Sequence, residues 1–331
     1  MGTRHIGAQT TRMSALAHHI YISILSTSFK RQGDIMEYAL LVVGSVDVEV
    51  EIEARPLPRS DDYDVTSLHE RIGGTAVDVA VTCAHLGVRS SLMASIGMDA
   101  VGLVDLLKHH GIDASHIGMS DTKTGKHVTV SAPGGTSSLL YEGANRHLVQ
   151  QGLDYNVIAS ARHLYLAPGP RGLIERLMPH LGEAVVYAHL TPTFPPGMLT
   201  EEIDVLVSSS RTACLYTGEG TGLEAVSTLR GMGPRAVIAS DAGAAAYCAT
   251  DAGVSTLSLP SGQAHDASRY ESAFVAGVIA RYLRTMNAKT SAAYGLACQE
   301  EAHKQNKRVL TQTDALTLDE RTYQLARLAH E

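Results

Sequence analysis

Charge, hydroxyl and helix-start signals crowd together in Asp266-Ala-Ser-Arg-Tyr-Glu-Ser-Ala-Phe274. Ser268 and Glu271 have the Ser-x-x-Glu spacing of a capping box, in which the hydroxyl takes one orphan N–H of a helix start and the carboxylate turns back to another. A helix start left open holds an anion on those same N–H groups. Filled from within, it repels one: two like unit charges about 4 Å apart interact by about 4 kcal/mol at an effective dielectric of about 20. Arg269 offsets part of that, and Ser272 adds a hydroxyl that is not basic near neutral pH. Three more carboxylates, Asp47, Glu49 and Asp78, lie near a strand end and a helix start. A carboxylate accepts hydrogen bonds from hydroxyls and cannot donate, which favours a polyol, an amino sugar or another cationic ligand. The alternative for Asp78 is a local one, a negative charge favoured in the first turn of its own helix.

These residues need elements to position them. Ala39-Leu-Leu-Val-Val-Gly44 is an unbroken apolar run ending at glycine, as expected of a strand covered on both faces. Helical spacing follows from Thr75 to Leu86, stopping at Gly87, and then a strand from Ser91 to Ile96. The alternation continues with helices near 101–110, 173–180 and 222–230 and strands near 163–166, 184–187, 205–207 and 236–239, which predicts a doubly wound parallel sheet with helices on both faces. Two segments break the rhythm. Residues 125–142 form a hairpin pattern turning at Gly134-Gly135, and 49–72 hold strand-like pieces broken by Pro56 and Pro58. Both are read as a small β lid over the strand ends, or else as edge strands making a dimer contact.

Composition narrows the function classes. The chain has 331 residues, 44% of them hydrophobic, and a formal charge of −7. It has no basic tract interleaved with aromatic residues, so nucleic-acid and anionic-membrane binding are not expected. The four cysteines show no C-x-x-C pair and no apolar run is long enough for a membrane span, so free thiols in a cytoplasmic protein are expected. Residues 1–35 are expected to be a non-native or disordered leader, with translation starting at Met36; 36–310 form the α/β domain and 311–331 a C-terminal helix. The Gly218–Gly222 run lacks phosphate-loop spacing and reads as a plain loop, and the histidine pairs lack metal spacing.

Val43-Gly-Ser-Val-Asp-Val-Glu49, Gly73-Gly-Thr-Ala-Val-Asp-Val-Ala80, Ile96-Gly-Met-Asp-Ala-Val-Gly102 and Gly143-Ala-Asn145 occur in an order and spacing that resembles the PfkB/ribokinase family of carbohydrate kinases, over Tyr38 to about Ala302. The resemblance implies a ribokinase-like α/β fold, with Asp47, Glu49, Gly73, Gly74, Asp78 and Asn145 on the substrate side. The stretch from Asp266 resembles the family's second signature, whose glycines hold the transferring phosphoryl group and whose second Asp is the base. Here Arg269 and Glu271 replace the glycines and Ser272 stands at the base, while Asp266 keeps its type. Ser209 and Thr212 answer the family's Asn-x-x-Glu. Ser240-Asp-Ala-Gly-Ala-Ala245 answers Thr-x-Gly-x-x-Gly, with Ala242 at its first glycine; with Ser268 and Arg269 these make up the nucleotide and anion region. The resemblance implies ATP and Mg²⁺ as cofactors of an active member, no protein-bound metal, and a sugar, nucleoside or polyol as ligand. Three functions are expected: ligand binding with phosphoryl transfer impaired or lost, an active kinase with an unorthodox base such as Glu271, or a regulatory partner protein, with a homodimer through the lid.

Overall fold

The computed structural model describes residues 39–54, 65–133, 135–259, 268–314 and 318. The chain separates into two units, Met1–Glu37 and Tyr38–Glu331, and every described residue belongs to the second. The leader, the Met36 start, Asp266 and all of 315–331 except residue 318 therefore lie outside the described residues.

In chain order the strands are β1 (Ala39–Val43), β2 (Asp47–Ala54), β3 (Val65–Gly73), β4 (Arg89–Gly97), β5 (Ile117–Ser120), β6 (Gly125–Ala132), β7 (Gly135–Tyr141), β8 (His163–Leu166), β9 (Val185–His189), β10 (Val205–Ser209), β11 (Ala236–Asp241), β12 (Ala245–Thr250) and β13 (Gly253–Ser258). Nine of them form one sheet in the order β13-β12-β11-β10-β9-β8-β1-β4-β5. It is parallel from β5 to β11 and antiparallel over β12 and β13. The remaining four make a second sheet, β3-β2-β6-β7, in which only the β2–β6 pair is parallel.

Among helices of at least five residues, α1 (Thr75–His85), α2 (Gly102–His109), α3 (Tyr155–Ser160), α4 (Leu173–Leu177), α5 (Ser210–Thr217), α6 (Gly222–Gly231), α7 (Glu271–Thr285) and α8 (Ala288–Lys304) are described. Alternation along β1 assigns them to layers. Leu40 and Val42 pack in one apolar cluster with residues of α1, α2, α7 and α8, whereas Leu41 and Val43 pack in the other with residues of α3 to α6. A strand buried on both faces must be apolar at every position, which is why β1 reads as an unbroken run. The helix expected at 173–180 ends instead at Leu177 and continues as a 3₁₀ turn over Met178–His180, where Pro179 has no N–H to donate.

α7 carries the charged stretch into the site, and it lies very close to α8. A Cβ on Gly277 would stand 2.6 Å from Cys298 Sγ, and one on Gly295 would stand 2.9 Å from the Phe274 carbonyl oxygen.

The second sheet departs from the main one at a polar joint. Val46 N–H donates to Asn145 Oδ1 at 3.0 Å, and Asn145 Nδ2 donates to Asp47 Oδ1 at 2.8 Å. Gly125, the first residue of β6, is pressed against both side chains, leaving no room for a Cβ. Gly74, at φ +105°, makes the turn from β3 into α1. Burial raises the Asp47 carboxyl to about 6, against the pull of the Asn145 hydrogen bond.

Two predictions follow from this packing. Gly295→Ala should destabilise the protein by about 1–3 kcal/mol because backbone sits in the way, whereas Gly102→Ala, with open space around its Cβ, should change stability by less than about 1 kcal/mol; urea titration of both variants checks the contrast. For Asp47, the folded protein binds the proton more tightly than the unfolded chain, so the group's contribution to stability is present below its unfolded value of 3.8 and is lost as pH rises towards about 6. Asp47→Asn should therefore match wild type near pH 4 and exceed it by on the order of 2–3 kcal/mol at pH 7; a pH-independent difference would refute the assignment.

Candidate functional site

A cavity of about 310 Å³ lies between the two sheets. β2 lines it with Glu49 and Glu51, α1 with Thr75 and Asp78, β6 with His127 and Thr129, the end of β9 with His189, and the α7 start with Arg269, Glu271 and Ser272. It shares Glu49, Glu51, Arg269, Glu271 and Arg308 with a larger cleft of about 1530 Å³, which extends to Ser209, Ser240, Asp241 and Ala242. These positions lie at the carboxyl ends of parallel strands, where doubly wound sheets bind ligands.

The acids of the cavity are matched by guanidinium groups. Arg71 of β3 grips Asp78 with two hydrogen bonds of 2.8 Å, one to each oxygen, and also touches Glu49. Burial raises the Asp78 carboxyl above its ordinary value even so. Arg308, beyond α8, touches Glu51 and lies 3.8 Å from Glu49. Of the three carboxylates expected to favour a polyol, an amino sugar or another cationic ligand, Glu49 and Asp78 thus face guanidinium groups, and Asp47 accepts from Asn145 outside this cavity. Asp78 does stand in the first turn of α1, whose cap position is Gly74, and its side chain goes to Arg71.

The hydroxyl half of the expected Ser268/Glu271 capping box lies outside the described residues. Ser268–Tyr270 form a 3₁₀ turn, and α7 begins at Glu271 with Tyr270 in the cap position and no side-chain cap. Glu271 is therefore the first residue of the helix rather than the third, and its carboxylate points into the cavity, 3.5 Å from His189 Nε2. His189 Nδ1 lies 3.0 Å from the hydroxyl of Tyr165, a phenol that burial holds protonated.

Where the family resemblance implies a nucleotide, the polar residues of this chain satisfy one another. The Ser209 hydroxyl caps α5 by accepting from Thr212 N–H at 3.3 Å and donates to Thr212 Oγ1 at 2.9 Å. Asp241 accepts from the hydroxyls of Ser210 and Tyr247, each at 2.8 Å. Ser240 is buried, and Ala242 sits at φ +46°, a left-handed conformation suited to glycine. Among the described residues no three His, Cys, Asp or Glu side chains converge as metal ligands. Ser209 and Thr212 offer hydroxyls where the family resemblance implies an Asn and a Glu, so these two positions supply no carboxylate to organise Mg²⁺, while Asp241 lines the same cleft.

Of the residues singled out in the sequence, Glu49, Asp78, Thr212, Arg269, Glu271 and Ser272 meet in the smaller cavity, and Ser209, Ser240 and Ala242 line the larger cleft. Asp47 and Asn145 pair with each other at the joint of the second sheet, where Gly74 makes a turn and Gly73 packs against the Arg71 guanidinium. Asp266 and the side chain of Ser268 lie outside the described residues. Sequence reasoning missed Glu51, Arg71, His127, His189 and Arg308. His189 carried a signal, its place at the end of a parallel strand; Arg308 carried none.

Comparison with known proteins agrees with this architecture. The sequence profile of the pfkB family carbohydrate kinases matches residues 39–186. An ATP-dependent 6-phosphofructokinase of Thermoanaerobacterium thermosaccharolyticum is 23% identical over 117 residues, 35% of either chain. A nucleoside kinase of Methanothermobacter thermautotrophicus is 31% identical over 136 residues, 39% of this chain and 44% of that one. The matches thus span less than half the length of these curated relatives. Among solved structures, an Arabidopsis thaliana ribokinase complexed with ribose and ATP superposes with a TM-score of 0.71 at 16% identity, covering 86% of this chain and 99% of that one. The chain is thus similar to the pfkB family carbohydrate kinases over residues 39–186 and shares the fold of a ribokinase.

Proposed function

We propose that the protein binds a small polyhydroxylated ligand, a sugar, nucleoside or related polyol, in the cavity between its sheets, and that phosphoryl transfer there is impaired or lost. The observation that carries this reading is Ser272 on the cavity wall, at the position where the family places its carboxylate base. A positioned base contributes about 10²–10⁴-fold to such a reaction, and a serine hydroxyl is no proton acceptor near neutral pH. The hydroxyl pair Ser209–Thr212 and the Arg269 side chain, turned towards Glu51, support the same reading. The ribose and ATP held by the Arabidopsis structure motivate the ligand class, and the free thiols of Cys83, Cys214 and Cys248 suit a cytoplasmic location.

A second reading, an active kinase with Glu271 as base, is favoured by one feature: the Glu271 carboxylate lies in the cavity beside Ser272, backed by His189. We also propose self-association through the second sheet. Its edge strand β7 is uncharged and exposed at every position, with Leu139 and Leu140 each 67% exposed, and an unprotected edge of this kind is a template for pairing with another chain.

A thermal-shift panel of sugars, nucleosides and polyols should yield a stabilising ligand, and Ser272→Asp should raise ATP-dependent phosphorylation of that ligand by at least about tenfold. No gain in Ser272→Asp, together with loss of a wild-type activity in Glu271→Gln, would transfer the assignment to the second reading. Failure of the whole panel would favour a regulatory partner protein. In light scattering the protein should run as a dimer and Leu140→Lys as a monomer; a monomeric wild type removes the β7 proposal.

A further inference from the structure

Glu51 belongs to the second sheet, yet its carboxylate is held by the body of the protein. One oxygen touches Nη2 of Arg308 and the other lies 3.9 Å from Nη2 of Arg269. These arginines come from separate turns, one ahead of α7 and one beyond α8, and the turns are tied together by Tyr270, whose hydroxyl donates to Asn306 Oδ1 at 2.9 Å. Lys307 lines the same cleft. The carboxylate of Glu51 is thus an oxyanion already seated between two guanidinium groups on the wall of an open cleft.

We propose that Arg269 and Arg308 form a binding site for a phosphoryl oxyanion, occupied by Glu51 while the cleft is empty, so that phosphate and the second sheet compete for the same two arginines. A phosphate carries about −1.5 to −2 charges near pH 7 against one for the glutamate, and its oxygens suit the guanidinium fork. The resident is displaceable because it is part-exposed: the Arg269, Arg308 and Glu51 side chains are 45%, 26% and 29% accessible, whereas the Asp78 partner of Arg71 is at 4%. Glu49, Asp78 and Glu271 also face this space, and Arg71 and His127 stand against them. Those acids weaken phosphate binding in the wild type, and removing the Glu51 charge strengthens it. Since Glu51 sits on β2, its displacement breaks the ion pairs that hold this strand to Arg269 and Arg308. The site requires neither phosphoryl transfer nor the polyol ligand.

Calorimetric titration of the full chain with inorganic phosphate, at ionic strength held constant with sodium chloride, tests the site. Glu51→Gln should bind phosphate about five- to tenfold more tightly than wild type, as expected for release of one part-exposed ion pair, and Glu51→Gln/Arg308→Gln should lose that gain. In wild type, phosphate should speed amide hydrogen exchange over Asp47–Ala54 while an equal ionic strength of chloride does not. Ribose 5-phosphate binding more tightly than inorganic phosphate would identify a ligand-borne phosphoryl group; equal affinity would identify the free ion. An unchanged affinity in Glu51→Gln, or a gain that survives loss of Arg308, overturns the proposal. If Glu51→Gln does not fold, the wild-type exchange experiment decides alone, and exchange over β2 that phosphate leaves unchanged overturns it.

Discussion

Four carboxylates, those of Glu49, Glu51, Asp78 and Glu271, face one space between two sheets, and the arrangement stands because guanidinium groups face the first three across it while His189 faces Glu271. Removing one partner of such a pair from a buried site costs about 3–5 kcal/mol, since a charge is then left without compensation. The Arg71 fork on Asp78 is the most buried of these contacts, and it joins β3 of the second sheet to α1 of the body. Arg308 and Arg269 repeat that linkage at the open end of the same space, through Glu51 of β2. The second sheet is therefore fastened over the cavity by charge at two depths, and any ligand meets a space in which charges are already paired. Neutral hydroxyl-rich molecules fit that setting, because they hydrogen-bond to engaged carboxylates and guanidinium groups without having to replace them.

Backbone and side chains have diverged to different degrees. Ala242 has φ at +46°, a conformation in which an alanine is strained by about 1–2 kcal/mol, at a position where the family resemblance implies a glycine. At Ser209 and Thr212 the polar replacements bond to each other and cap α5, which leaves the helix start well formed and without an acid. The fold is compatible with these residues, and function resides in a site rather than in the architecture around it.

The parallel core was legible because its signals are local. An apolar run such as β1, or helical spacing ended by Gly87, is complete within a dozen residues. The β12–β13 hairpin was not, because Ala245–Thr250 and Gly253–Ser258 are rich in small residues and lack the branched apolar alternation that marks a strand. The ion pairs were illegible for a different reason: Arg308 meets Glu51 across most of the chain, and no spacing rule links them. The start of α7 was legible only in part. Tyr270 is buried against the core and bonded to Asn306, and the helix begins at Glu271, so this residue stands two positions nearer the helix start than the Ser-x-x-Glu spacing expects, while the Ser268 side chain lies outside the described residues.

That two-residue difference in register has a chemical consequence. As the third residue of the helix, Glu271 would have folded back onto the helix start. As the first, it presents its carboxylate to the cavity and supplies the negative charge that the amino end of α7 favours. The helix start is thus matched by a charge of its own chain, and Arg269, the neighbouring cation, is turned towards Glu51. A phosphoryl group brought to this helix start meets Glu271 without a guanidinium to balance it, until Arg269 is released by the second sheet. On the reading proposed above, closure of that sheet and acceptance of a phosphoryl group at the start of α7 draw on the same arginine, Arg269.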